Sequence, residues 1–454
     1  MLCALLAGQV HVDTVVRLPR GTHTVYYVES SNQLLAISSC HETLYVLNCV
    51  DYAVDKALPL HGGGSTGEYG VWNWKRNKLY VTLSVPETLF VYDPALESIT
   101  AWLPFKHYRS PCYVSTHDWV YAVDDGQMKV IDCASDSVVR TRPPVPYEAW
   151  GPVAWDSVGD KVYVAAQGAP QEDVLLAYSC VNDSPVAAVN TGIFYPTVLA
   201  QCPPLRKAYL GRDWGGATDS SVAVYDFETD TVTRRLPIVY SVFRNAVYNP
   251  ERGKVYIPGE GSYQDTVFAV DCASDSITGR IALPLDVGTM VLATKTDRLY
   301  VCCPYPTDRV MVVDCATDSV IASIEVGMGP MYPAYDSARG RVFVGCQDST
   351  IWVLADDSSG ITEAQADRPV PTLQARPNPL TDGTLIRLDV KQASPVVIYD
   401  AVGRRVRSLA AGPDGRGVVW DAHDESGRRV RAGVYYASVS DAGTLTHVQL
   451  LVVR

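Results

Sequence analysis

Short apolar runs rich in Val, Ile and Tyr, each bounded by Gly, Pro, Asp or Asn, follow one another along most of the chain. Such runs predict β-strands separated by tight turns. No segment sustains a 3.6-residue hydrophobic period, so helices are not expected. The runs come in fours. One set is Thr289–Ala293, Arg298–Cys302, Arg309–Asp314 and Ser319–Ile324.

The sets repeat. A unit made of a basic or polar residue, an aliphatic, an aromatic and an aliphatic recurs as Lys78-Leu-Tyr80-Val, Lys161-Val-Tyr163-Val and Lys207-Ala-Tyr209-Leu, with Trp119-Val-Tyr121-Ala as a further copy. It continues as Lys254-Val-Tyr256-Ile, Arg298-Leu-Tyr300-Val and Arg341-Val-Phe343-Val, with a weaker first copy at Gln33-Leu-Leu35-Ala. Positions 35, 80, 121, 163, 209, 256, 300 and 343 are separated by 45, 41, 42, 46, 47, 44 and 43 residues. Four strands in a repeat of this length predict an all-β fold, a β-propeller. The eighth unit lacks a fourth strand, and an orphan strand, Val12–Leu18, precedes the first. Pairing the two would close the ring and remove an open edge. The expectation is an eight-bladed propeller over 10–356, with seven blades as the alternative if the weak first unit is irregular.

These copies resemble the YVTN family of β-propeller repeats, most closely at Tyr80-Val81-Thr82-Leu83. The third strand and its turn recur as Val130-Ile-Asp-Cys-Ala-Ser-Asp-Ser-Val138, Val270-Asp-Cys-Ala-Ser-Asp-Ser-Ile277 and Val313-Asp-Cys-Ala-Thr-Asp-Ser-Val320. The resemblance implies the propeller fold and says almost nothing about activity.

A polar segment, 357–371, leads into residues 372–454, which read as a small β-sandwich of about seven strands. Pro377-Asn-Pro379, Ile398-Tyr-Asp-Ala-Val-Gly-Arg404 and Trp420-Asp-Ala-His-Asp-Glu-Ser-Gly427 with Ala432-Gly-Val-Tyr435 resemble the Ig-like domain of flagellar hook-capping proteins and of type IX secretion sorting domains. That resemblance implies an Ig-like fold and contact with secretion machinery. The segment ends in a single Arg rather than a basic cluster, so a sorting signal and a purely structural module both stand. Met1–Gln9 reads as the remnant of a signal peptide. Together these give an extracellular or cell-surface location, with the periplasm as alternative.

Charge sharpens the division. Residues 370–454 carry 11 basic and 8 acidic groups, a net of +3, which leaves −15 of the total −12 for residues 1–369. An acidic propeller repels phosphate backbones and excludes nucleic acid as a partner. No apolar run is long enough for a membrane-spanning helix. Twelve cysteines are present, and five of them (Cys49, Cys133, Cys180, Cys272 and Cys315) stand at the same place after a third strand. Equivalent places on different blades are too far apart to bridge, so free buried thiols are expected.

Candidate chemistry is sparse. Gly63-Gly-Ser65-Thr-Gly67 matches a nucleophile-elbow pattern, and Gly62–Gly67 a dinucleotide pattern, but no helix follows either. His61 and His107 fall in inter-blade loops, without metal-ligand spacing. Asp421, Asp424 and Glu425 form no complete calcium loop. No catalytic residue, metal or cofactor is expected. The loops joining fourth to first strands and second to third strands share one face. The first set carries Tyr69, Trp72, Tyr108, Tyr147, Trp150, Tyr195, Tyr240, Arg244 and Tyr332; the second carries acids, among them Glu87, Asp124, Asp125, Asp308 and Asp348. Flat rings with carboxylates suit a carbohydrate or a peptide or protein ligand. The expectation is a non-enzymatic binding or structural scaffold. The alternative is a propeller enzyme of lyase, lactonase or redox type, with its active site at the channel mouth.

Overall fold

A computed structural model describes residues 10–22, 24–38, 43–60, 69–84, 87–105, 111–142, 148–168, 172–193, 196–212, 222–238, 245–259, 266–283, 287–304 and 307–356, and, further on, 374–376, 386–389, 396–400, 405–409, 418–441 and 444–453. The expected signal-peptide remnant and linker lie outside them. The chain divides into two compact units, Met1–Gly360 and Ile361–Arg454.

Among the described residues the first unit holds eight four-stranded antiparallel sheets, here called blades 1 to 8, spanning 24–59, 69–104, 112–142, 148–190, 196–236, 247–282, 290–325 and 331–356. Blade 8 takes its fourth strand from the other end of the unit: Val10–Arg17 pairs antiparallel with Thr350–Asp356. Consecutive blades share apolar clusters, and the last joins the first. Phe343, Ile351 and Val353 of blade 8 pack with Val25, Leu34 and Tyr45 of blade 1. The unit is therefore a β-propeller.

Two local devices recur. Pairing of third with fourth strand slips by one residue at the same place in each blade, for example between Val130 and Ile131 and between Val312 and Val313. Such a bulge sharpens strand twist, which lets flat sheets stack around an axis. The extra residue faces outward, which accounts for exposed Val139, Val186 and Ile321; in blade 8 it is Asp13. The second device ties the two turns on one edge of a blade. A residue with positive φ ends the turn between first and second strands: Asn32, Asp118, Asp160, Arg206, Gly253, Asp297 or Gly340. Its carbonyl accepts the N–H of the residue after the third strand, which is Cys49, Cys133, Cys180, Phe227, Cys272 or Cys315, and in blade 8 the N–H of the strand's last residue, Asp356. In blade 2 that residue is Pro94, which has no N–H to donate.

Blades are also stapled to one another. The Lys-x-Tyr of a second strand reaches a carboxylate in the third-to-fourth turn of the next blade, where the Asp has positive φ. Lys254 and Tyr256 bind Asp318 at 2.6 and 2.8 Å, and Lys207 and Tyr209 bind Asp275 at 2.7 and 3.2 Å. Lys78 and Tyr80 bind Asp136, and Lys161 and Tyr163 bind Asp230, in the same way. Blade 3 has Trp119 where the Lys stands elsewhere. There Arg140 stacks on the Trp119 ring at 3.9 Å and supplies the cation to Asp183 at 2.8 Å, while Tyr121 donates to the same carboxylate at 3.1 Å. A buried carboxylate held by a cation and a hydroxyl avoids the penalty of an unpaired charge.

The second unit has a three-stranded sheet of Gln374–Arg376, Ile386–Asp389 and Val418–Trp420, and a four-stranded sheet in the order Arg405–Leu409, Val396–Asp400, Gly433–Asp441, Thr444–Val452. One cluster built on both, Val396, Ile398, Trp420, Tyr435, Ala437 and Leu450 among its members, makes it a β-sandwich. Trp420 is fully buried, meets Tyr435 edge-on at 5.5 Å and donates its indole N–H to the His423 carbonyl at 3.0 Å. Gly427 takes φ of +76° in the turn that follows, a conformation that suits glycine.

Candidate ligand-binding face

The turns joining first to second and third to fourth strands lie on one side of the ring, and their charges are used for stitching. Asp118 of blade 3 accepts from Asn73 and Arg76 of blade 2 and from Tyr113 (3.0, 2.6 and 3.0 Å). Burial opposes ionisation there, but the Arg76, Asn73 and Tyr113 hydrogen bonds prevail and hold the Asp118 carboxyl below the usual carboxylate range. Asp297 receives Asn249 and Arg252 of the preceding blade, Asp156 receives Arg206 of the following one, and Asp160 receives Thr116 and His117.

The loops joining fourth to first and second to third strands lie on the opposite side. Between blades 7 and 8 their construction is visible. Asp308 accepts the Gly329 N–H at 2.8 Å, and Asp348 accepts the Met328 N–H at 3.2 Å and the Thr350 hydroxyl at 2.6 Å. Gly329 has φ of +61°, and a Cβ there would lie 2.6 Å from the Gln347 side chain. The loop is thereby pinned, with half-exposed Met328 at its tip. In blade 3 the loop is the two-residue turn Asp125-Gly126, both with positive φ (50° and 74°), between Asp124 and Gln127. This is the preferred hairpin geometry. Asp124 makes an ion pair with Lys129, and Glu87 is exposed at the start of its strand.

Of the nine candidate ligand residues, four fall among described positions. Tyr69 opens the first strand of blade 2 and is half-buried; its carbonyl accepts the Thr82 hydroxyl at 3.2 Å. Trp72, on the same strand, packs against the apolar cluster between blades 1 and 2, so it contributes to the core. Between them, Gly70 lets the Tyr26 ring of blade 1 approach; a Cβ would lie 2.9 Å from it. Tyr332 stands on the first strand of blade 8 with φ of +40°, its N–H held by the Thr289 hydroxyl at 2.7 Å. Trp150 lies in the strand Glu148–Asp156. Tyr108, Tyr147, Tyr195, Tyr240 and Arg244 lie outside the described residues, as do His61, His107 and Gly62–Gly67.

Elsewhere, the C-terminal carboxylates serve the turn. Asp424 accepts from the N–H and hydroxyl of Ser426 and from the Arg428 N–H, Glu425 accepts the Ser408 N–H, and Asp421 pairs with Arg407. Among the described residues no group of three His, Cys, Asp or Glu side chains is placed to hold a metal ion. The sequence reading missed Trp74, which is 64% exposed at the tip of a turn on the stitched face, edge-on to Tyr113 at 6.1 Å. A large aromatic at a turn tip was the available signal.

Fold and geometry define a WD40-like β-propeller followed by a small all-β unit. The C-terminal WD40 domain of Sif2 superposes with a TM-score of 0.61 at 11% identity, covering 77% of this chain and 99% of that domain. A chain of a mitotic checkpoint complex aligns with a TM-score of 0.49 at 10% identity, covering 78% of this chain and 94% of its own. No family model and no curated protein matches the sequence.

Proposed function

We propose that the protein is a non-enzymatic exported or cell-surface scaffold. In this reading it is an eight-bladed propeller of YVTN-type repeats whose face opposite the ion-paired turns binds a carbohydrate or peptide ligand, followed by an Ig-like module for sorting or attachment. The observation that carries the reading is the contrast between the two faces. On one, Asp118, Asp156, Asp160 and Asp297 are each held by a neighbouring blade. On the other, among the described residues, the loop between blades 7 and 8 is pinned by Asp308 and Asp348 and holds Met328 exposed at its tip. A rigid ring that holds loops in place is what a binding surface needs. The net −15 of residues 1–369 favours ligands bearing hydroxyl or amino groups over anions.

A glycan and peptide array, probed with wild type and with a Tyr147→Ala/Trp150→Ala double variant, tests the ligand face. Binding by wild type that weakens in the variant supports it; binding that survives both substitutions, or that maps to the stitched face, overturns it. The export role is tested by deleting residues 372–454 and fractionating cells that possess type IX secretion. The truncated propeller should remain folded in the periplasm, and its normal arrival at the surface would refute a sorting role.

A further inference from the structure

The last residue of a blade's first strand occupies a fixed place in the junction with the next blade. In blades 2 and 6 it is Asn73 and Asn249. Each amide donates to a carboxylate of the next blade, Asp118 at 3.0 Å and Asp297 at 2.6 Å. Each also reaches the thiol that follows the next blade's third strand, Cys133 or Cys315. In blade 5 the same place is taken by Cys202. The thiol it meets is Cys272 of blade 6, close enough for the two free thiols to interact electrostatically. Both belong to one apolar cluster, and each is 1% exposed. The repeat thus sets two thiols together at a junction whose counterparts, between blades 2 and 3 and between blades 6 and 7, set a thiol beside an amide.

We propose that Cys202 and Cys272 form a disulfide-competent pair that, with an exchangeable disulfide such as glutathione disulfide as oxidant, locks blade 5 to blade 6. One cysteine thiolate attacks the glutathione disulfide and releases one glutathione thiol; the second cysteine then displaces the other. One S–S bond forms for each one broken, and the two electrons and two protons lost by the pair appear on two molecules of glutathione. Burial, partly offset by a hydrogen bond from Tyr209, pushes the Cys272 thiol up to about 12, so little thiolate exists in the closed junction. Exchange belongs to the folding chain, before blades 5 and 6 close. Cross-linking them closes a long loop and restricts the unfolded chain.

The pair is independent of the scaffold reading, because its test uses redox buffer and no ligand. The full chain is synthesised in vitro in glutathione-disulfide buffer and, separately, in dithiothreitol. Free thiols are blocked with N-ethylmaleimide under denaturing conditions, and peptides are mapped by mass spectrometry. The oxidised product should yield a Cys202–Cys272 linked peptide, about 2 Da lighter than the two separate peptides, and a higher thermal midpoint than the reduced product. C202A, which removes one thiol and buries no new polar group, should fold, lose the linked peptide and show no rise in midpoint on oxidation. Recovery of both cysteines as alkylated thiols from soluble, folded, oxidised protein would overturn the proposal, as would linkage of either one to a different cysteine.

Discussion

The junction between blades 6 and 7 and the junction between blades 8 and 1 use the same backbone positions and different chemistry. In the first, Lys254 and Tyr256 converge on Asp318. In the second, the corresponding residues are Arg341, Phe343 and Tyr52. Arg341 turns to Asp13 of its own blade at 2.9 Å, and Phe343 packs against Tyr52 and Tyr27 with ring centroids 6.1 and 5.9 Å away. Tyr52 keeps the positive φ that Asp318 has, 60° against 50°. Backbone geometry is therefore the constant of the repeat, and the seal is interchangeable: a charge-assisted triad or an aromatic seam. The aromatic seam stands where the two ends of the ring meet. There Arg341 is drawn to the bulged Asp13 rather than across the junction.

The comparison can be broken most severely at the seam itself. Deleting residues 1–17 removes the strand paired with Thr350–Asp356 and uncovers a sheet edge that invites association. The expected outcome is the largest fall in thermal midpoint of any change considered, with self-association on size exclusion; an unchanged midpoint would refute closure by this strand. Next comes Phe343→Ala. Phe343 is fully buried, so the substitution should cost about 3–5 kcal/mol in denaturant unfolding.

Asp318→Ala attacks the other seal. It strands Lys254, whose side chain is 18% exposed, together with the Tyr256 hydroxyl. The expected loss is about 3 kcal/mol, the low end for breaking a buried pair because the ammonium retains some water. Tyr256→Phe removes the hydroxyl's hydrogen bond to the charged carboxylate and leaves the ion pair, so about 2 kcal/mol is expected. Equal losses for the two variants would show that the hydroxyl, and not the ammonium, holds the junction.

The smallest effect is alkaline. Burial first, then neighbouring Cys315 and Asp318, raises the Tyr256 hydroxyl far above the ordinary tyrosine range. The unfolded chain loses that proton near pH ~10 while the folded chain keeps it. This contribution is fully present below pH ~10 and falls as pH rises above it. Thermal midpoints between pH 8 and 11 should decline, and the decline should be shallower in Tyr256→Phe.

How much of this was readable in advance follows from the range of each interaction. Strand-forming runs, the four-strand sets and the repeat spacing depend on alternation and turn residues within a few positions, and they stand in the sequence. So does the turn glycine Gly427. The orphan strand was readable because the eighth set lacks a member. Lys-x-Tyr and the Asp of the Cys-Ala-Ser-Asp turn were each visible as motifs. That they bind each other was not, because the partners lie a repeat or more apart, as with Lys254 and Asp318. Nor could the sequence show that Arg140 replaces the missing cation beside Trp119.

The candidate face divides in the same way. Aromatic and acidic residues between strands were visible as a set. Only packing decided that Trp72 joins the inter-blade core and that Asp308 and Asp348 hold a loop. By itself the sequence determined the strands, their grouping and the positions where a repeat is interrupted, since local backbone preference and apolar alternation act over short distances. The tertiary structure decided which carboxylates are consumed, which rings are covered and which two thiols meet, since those outcomes depend on neighbours that only the closed ring brings together.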